Sequence, residues 1–317
     1  MKIIPLALAL ALCAAQALAQ TPPATTRPDI LRVPADAPPQ HAPALGPYAV
    51  TIETDPSLPT HTLYRPTDLA AVKGKLPIVA WANGACANSS ERFTPFLTKI
   101  ASHGFLVVAI GPKDAPPWTP NATPNAASGQ GAPIAAPKTT AHQLIDAIDW
   151  AQAQNAEAGP YKGRIDTKAV AVMGQSCGGL QAIEVSGDPR VKTTVVWNSG
   201  VIVDQAGLPK LSNATKDSLK AYHAPVAYFI GGPVDVAWPN AEDDFARITT
   251  VPVFKGNLNV GHGGTYRHVN GGWFGEVGEA WLAWRLKGDK EAAKLFEGPK
   301  CGLCVAPEWK VQKKNMD

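Results

Sequence analysis

Along this chain, short unbroken apolar runs alternate with longer segments whose apolar positions recur every three or four residues. "LPIVAWANG" holds such a run around Ile78–Trp81, followed by "FLVVAI" at 105–110, "AVAVM" at 169–173, "TTVVW" at 193–197, "PVAYFI" at 225–230 and, as the last, "VPVF" at 251–254. Runs of this kind predict strands buried on both faces. "YAVTIETD", from Tyr48, alternates instead and predicts an antiparallel opening strand. Between them, "SSERFTPFLTKIASHG" predicts a helix with Ser89 or Ser90 as N-cap and Gly104 as stop. "TTAHQLIDAIDWAQAQ" places Leu144, Ile148 and Ala151 on one helical face, and "GWFGEVGEAWLAWRL" predicts a closing amphipathic helix. Continuous apolar strands alternating with helices imply an α/β fold, a mostly parallel central sheet with helices on both faces. No internal repeat interrupts the pattern.

The ends and one internal stretch depart from it. Residues 1–19 combine Lys2, an apolar run and Ala17-Leu18-Ala19, which predicts a secretion signal peptide with a small-x-small cleavage pattern. Residues 20–46 are rich in Pro, Ala and Thr and predict a flexible leader that buries little surface. Residues 47–317 are expected to form one domain ending in a cysteine-containing tail, and 112–138, rich in Pro, Ala, Gly and Asn, a long loop. No later segment is apolar for long enough to cross a bilayer. Secreted or periplasmic location is the expectation.

Composition adds exclusions. The 317 residues are 45% hydrophobic with a net charge of +3, and they contain no basic run of the kind that binds nucleic acid. Removal of a signal peptide would leave Cys86, Cys177, Cys301 and Cys304, and an even number in an oxidising compartment suggests disulfides. The competing reading of "CGLC" at 301–304 is metal binding, but it supplies two ligands with no Cys or His cluster nearby in sequence.

The chemistry centres on "AVMGQSCGGLQA", where Ser176 stands between Gly174 and Gly178. A nucleophile elbow puts its serine on a sharp strand-to-helix turn, with small residues two positions either side because neighbouring chains approach closely there. Here an apolar strand ends at Met173, and "GGLQAIEV" can begin a helix. A glycine-rich turn without chemistry is the competing reading. A serine hydroxyl also needs a base, and the partners of such an elbow follow it in the order acid, then histidine. Asp235 follows the strand "PVAYFI"; Asp243 and Asp244 are alternatives that fall in the next expected helix. His262 lies in "GNLNVGHGGTY", flanked by glycines after the last expected strand, and the other late histidine, His268, has a more ordinary context. For an oxyanion hole, the backbone N–H of Cys177 is one expected donor. The other comes from "WANGACANSS", with Ala85 preferred over Cys86 and Asn83 as a substrate-facing candidate.

On "GQSCG", "GPVD" and "VGHGG", the chain resembles the α/β-hydrolase superfamily over about residues 48–290. Within it, the chain is similar to secreted dienelactone-hydrolase-like and polyester-hydrolase-like (cutinase-like) esterases. Polyester hydrolases usually carry Met after the nucleophile, where this chain has Cys177. The resemblance implies an α/β-hydrolase fold and a serine carboxylester hydrolase acting on a small-molecule or polymeric ester, without metal or organic cofactor. It implies that an aromatic residue after the sixth strand lines the acyl site, with Trp197 as the match and a core tryptophan as the alternative. Trp118 and Trp238 are further candidates to shape the pocket. It further implies that the segments carrying Cys86 and Cys177 converge on one oxygen, close enough for a disulfide, with two separate thiols as the alternative. Cys301 and Cys304 would then pair with each other. A peptidase or amidase on the same fold and a non-catalytic exported binding protein are the other readings.

Overall fold

The computed structural model describes residues 39–40, 42, 46–116, 136–203 and 210–316. The expected signal peptide, most of the leader, residues 117–135 of the long loop with Trp118, and 204–209 lie outside the described residues.

Nine strands form one sheet: β1 (Val50–Glu53), β2 (His61–Pro66), β3 (Leu76–Ala82), β4 (Leu106–Ile110), β5 (Ile165–Gln175), β6 (Val191–Trp197), β7 (Val226–Ile230), β8 (Val253–Leu258) and β9 (Trp309–Lys314). Their spatial order is β1-β2-β4-β3-β5-β6-β7-β8-β9. β4, β3, β5, β6, β7 and β8 are mutually parallel, and the antiparallel pairs lie outside them, β1 with β2, β2 with β4, and β8 with β9. The apolar runs therefore form the parallel centre, every residue of β3, β4 and β7 being buried.

Helices cover both faces. α1 (Thr94–Ser102) and α5 (Gly272–Lys287) pack with Trp81, Val107, Met173, Trp197 and Phe229 on one face. α2 (His142–Ala156) packs on the other against Ile78, Val108 and Val172, where Leu144, Ile148 and Ala151 are all buried. α3 (Cys177–Val185) and α4 (Trp238–Arg247) continue that second face along β6, β7 and β8. This is an α/β architecture with a mostly parallel sheet.

Four expectations change. β2 carries no simple apolar run, because His61, Thr62 and Arg65 interrupt it, yet it completes the sheet between β1 and β4. The serines before α1 do not cap it: Ser90 precedes a short 3-10 turn, Glu91–Phe93, and α1 starts at Thr94 with Pro95 in its first turn. The tail is part of the core. Phe296, Cys301, Leu303 and Trp309 are buried in the cluster on α5, and β9 pairs with β8 from Leu258↔Trp309 to Val253↔Lys314. For the same reason α5 is not simply amphipathic: the consecutive residues Trp281, Leu282, Ala283 and Trp284 are all buried, and Trp281 and Trp284 both pack on Phe296. As the edge strand, β9 exposes Lys310, and lysines on an edge discourage pairing with another chain.

The topology locates a crevice. From β3 the chain passes through α1 on one face to β4; from the adjacent β5 it passes through α3 on the opposite face to β6. Where neighbouring parallel strands send their connections to opposite sides, the carboxyl ends of the strands frame an open site. Gly84–Cys86 leaves β3 there, and Ser176 leaves β5.

Candidate active site

Ser176 sits in the turn between β5 and α3 with φ 54° and ψ −119°, a region that side chains rarely adopt. The flanking glycines make the turn possible. A Cβ on Gly174 would run into the Gly178 carbonyl and reach 2.8 Å from Ala82 O; one on Gly178 would hit Ala82 O and lie 2.8 Å from Asn83 N. The end of β3 thus presses directly against the elbow, and larger residues at either position would push the two strand ends apart.

The three residues expected to act together do meet. His262 Nε2 lies 2.9 Å from Ser176 Oγ, and its Nδ1 lies 2.6 Å from Asp235 Oδ1. Asp235 is buried, whereas His262 keeps its side chain 35% exposed, open to a ligand or water. Asp235 Oδ1 also accepts from Ala237 N (2.9 Å), while Oδ2 accepts from Gly231 N (2.9 Å) and Asn198 Nδ2 (2.6 Å). Burial by itself would raise the carboxyl pKa. The hydrogen bond and charge of His262, with the Ala237 and Gly231 amides, outweigh it, and Asp235 lies below the ordinary carboxylate range. An ionised carboxylate only accepts hydrogen bonds, so Nδ1 of His262 carries the ring hydrogen and Nε2 presents its lone pair to the Ser176 hydroxyl. An imidazole so oriented can take the proton of the serine.

The alternative acids are occupied elsewhere. Asp243, held down at about 2 by hydrogen bonds from Arg247 and Lys216, faces those two side chains. Asp244, whose pKa burial raises, accepts from Lys216, Val201 N and Tyr228 OH. His268 is buried, its backbone N–H donates to the Thr265 carbonyl, and burial lowers its pKa.

The expected oxyanion donors lie on the two strand ends. Cys177 opens α3, so its N–H belongs to the helix's first turn, whose donors have no acceptor within the helix. Ala85 (φ 56°) and Cys86 (φ 46°) form a tight left-handed turn after β3, and Ala85 is half-buried. Cys86 and Cys177 are disulfide-bonded with Cα atoms 5.2 Å apart, and Cys301 is bonded to Cys304. Thr139 Oγ1 and Lys138 N both donate to Cys86 O, so the far end of the long loop also grips this turn.

The bridge spans 91 residues of sequence, which corresponds to about 4–5 kcal/mol of restricted unfolded-chain entropy. Its local consequence is to fix the distance between the Ala85 and Cys177 amides. Reduction, or Cys86→Ser, is expected to lower the melting temperature by up to about 8 °C. Thermal scans with and without reductant check this, and an unchanged melting temperature in fully reduced protein would contradict it.

Trp197 and Asn83, expected to face substrate, both lie inside the fold instead. Trp197 is fully buried: it stacks on Phe229 and packs edge-on against Phe96 and Tyr266, so it is a core residue with no face toward the crevice. Asn83 is likewise fully buried, accepting from Trp81 Nε1 and donating to Ala87 O and Ile110 O. It shapes the β3 turn from within. Trp238 begins α4 and packs at the margin of the cluster behind β7.

Other residues border the site without being candidates by type. Gln175 Nε2 donates to His262 O (3.1 Å), and a Cβ on Gly84 would collide with Gln175 Oε1, so this side chain fills the space between the histidine loop and the β3 turn. Ser199 Oγ donates to Ser176 O at 2.6 Å. Val234 and Val236, on either side of Asp235, are 70% and 74% exposed and give the rim apolar surface. The only sequence signal for Gln175 and Ser199 is position, one next to the serine and one just past a neighbouring strand. No protein-family model matches this chain, and no curated protein matches it.

Proposed function

We propose that this protein is an exported serine carboxylester hydrolase of the α/β-hydrolase type. The observation that carries the reading is the continuous contact Ser176 Oγ–His262 Nε2 and His262 Nδ1–Asp235 Oδ1, at 2.9 and 2.6 Å, set beside the Ala85 and Cys177 amides. In this reading the Ser176 hydroxyl passes its proton to His262 Nε2 while its oxygen bonds to the ester carbonyl carbon. The carbonyl π electrons move onto oxygen, where the backbone N–H groups of Cys177 and Ala85 stabilise the negative charge. His262 then gives the proton to the departing alcohol as the C–O bond breaks, leaving an acyl-Ser176 ester. Water, deprotonated by His262, attacks that ester, and the acid leaves as Ser176 regains its hydrogen. Asp235, ionised below the ordinary carboxylate range, stabilises the imidazolium in both halves.

The exposed valines at the rim support an ester with an apolar group on one side. Two disulfides, and the absence among the described residues of any helix long and apolar enough to cross a membrane, are compatible with export. Matched p-nitrophenyl esters and anilides test the reaction class. Esters are expected to turn over at least about 100-fold faster than the anilides, because an alkoxide or phenoxide leaves far more readily than an amine nitrogen, which His262 must protonate before the C–N bond breaks. Equal rates on both would favour the amidase reading.

A further inference from the structure

The turn after β6, Trp197–Asn198–Ser199, touches both the nucleophile and the acid. Trp197 O accepts from Ser176 N (2.9 Å), and Ser199 Oγ donates to Ser176 O (2.6 Å). Asn198 N donates to Phe229 O (2.8 Å), pinning the turn to the end of β7 just before the Asp235 loop. The Asn198 side chain is fully buried and reaches across that loop. Its Nδ2 donates to Asp235 Oδ2 (2.6 Å) and to Gly261 O (3.2 Å), the carbonyl directly before His262, and its Oδ1 accepts from Tyr266 OH.

We propose that Asn198 is a positioning residue for the Asp235–His262 pair, an inference that rests on the ester-hydrolase reading above. The residue type follows from the partners. A carboxylate oxygen and a carbonyl oxygen both only accept, so the group facing them must offer two N–H donors. The third partner is a phenol whose hydrogen needs an acceptor. A primary amide supplies both in a fixed plane. The backbone at Asn198 has φ 42°, and asparagine is among the few non-glycine residues that tolerate this region. A carboxylate at this position would face Asp235 with like charge, and a glutamine would be one carbon too long.

Without the side chain, Asp235 Oδ2 keeps only the Gly231 N–H, and the loop at Gly261 loses its tie to the acid. The carboxylate, still bonded to His262 Nδ1, Ala237 N and Gly231 N, loses the one contact that also fixes the carbonyl before His262. His262 would still reach Ser176 in the resting enzyme, but it would not be held in one orientation while its ring gains and loses a proton. Substrate binding at the crevice mouth does not use these atoms, so the loss should appear in kcat.

The test uses the full chain with Asn198→Gly, which accepts the left-handed backbone and removes only the side chain, alongside Tyr266→Phe, which removes only the bond to Asn198 Oδ1. Asn198→Gly is expected to lower kcat on a p-nitrophenyl ester about 10- to 100-fold with KM within about twofold. Tyr266→Phe is expected to lower kcat by about two- to tenfold. The downfield proton resonance of the His262 Nδ1–H bond to Asp235 should shift or broaden in both, a change that a purely structural role would not cause. Wild-type kcat in folded Asn198→Gly overturns the proposal, and so does an unfolded Asn198→Gly combined with wild-type kcat in Tyr266→Phe. Ser176→Ala, assayed in parallel, separates the two levels: if it retains turnover, the hydrolase reading has failed, whereas if it is inactive, the result for Asn198 stands by itself.

Discussion

Ser176→Ala is expected to lower kcat for ester hydrolysis by about 10⁶ while leaving the protein folded. The size follows from the role. Without an oxygen nucleophile there is no acyl-enzyme, and only the oxyanion donors and substrate binding still act on a water molecule. The fold should survive because the backbone of Ser176, not its hydroxyl, carries the structural contacts. Its N–H donates to Trp197 O, and its carbonyl accepts from Ser199 Oγ and from the N–H groups of Gly179 and Leu180. Alanine keeps all of these and sits in the same strained φ, so the melting temperature should move little. A matched measurement of kcat and thermal unfolding checks both halves.

The second large effect concerns the base and the acid. His262→Ala should cost nearly as much as the serine change, because the residues act as one unit. Asp235→Asn is expected to cost about 10⁴ in kcat. The geometry explains why a change of one atom matters. All four partners of Asp235 are donors: His262 Nδ1 and Ala237 N on Oδ1, Gly231 N and Asn198 Nδ2 on Oδ2. An amide must therefore aim its NH2 at two donors whichever way it turns. Turned toward His262, it forces Nδ1 to accept and puts the ring hydrogen on Nε2, where it faces Ser176 and no proton can be taken. Asp243→Asn, on the Lys216–Arg247 cluster, should leave kcat unchanged. The hydrogen bonds that, against burial, hold the Asp235 carboxyl below the usual carboxylate range keep it ionised and able to orient His262.

What could be read in the sequence and what could not divide along physical lines. The parallel centre of the sheet was legible because burial on both faces removes polar residues from β3, β4 and β7. β2 and β9 were not, because they lie outside that centre and carry His61, Arg65 and several lysines, which blur the pattern. The lysines of β9 also hid the fact that Trp309 anchors it in the core beside Phe229 and Phe274. At the site, Ser176, Asp235 and His262 announce themselves by side-chain type just past strand ends. The glycines around Ser176 do so because the β3 chain leaves no room for a Cβ. Trp197 was misplaced for a reason of period. At the end of β6 its neighbour Val196 packs on the opposite side of the sheet, and alternation sends the indole into the α1–α5 face. Asn198 gave no signal at all, since a lone asparagine after a strand resembles any turn residue, and its meaning depends on three partners distant in sequence.

The most direct measurement is the mass of the intact protein and of its Ser176 peptide after exposure to a fluorophosphonate, which captures a serine only when an adjacent base activates it. The account predicts one adduct, on Ser176, formed in the native protein and lost in both Ser176→Ala and His262→Ala. No adduct on correctly folded, disulfide-bonded protein, or an adduct on Ser176 that persists in His262→Ala, would contradict it.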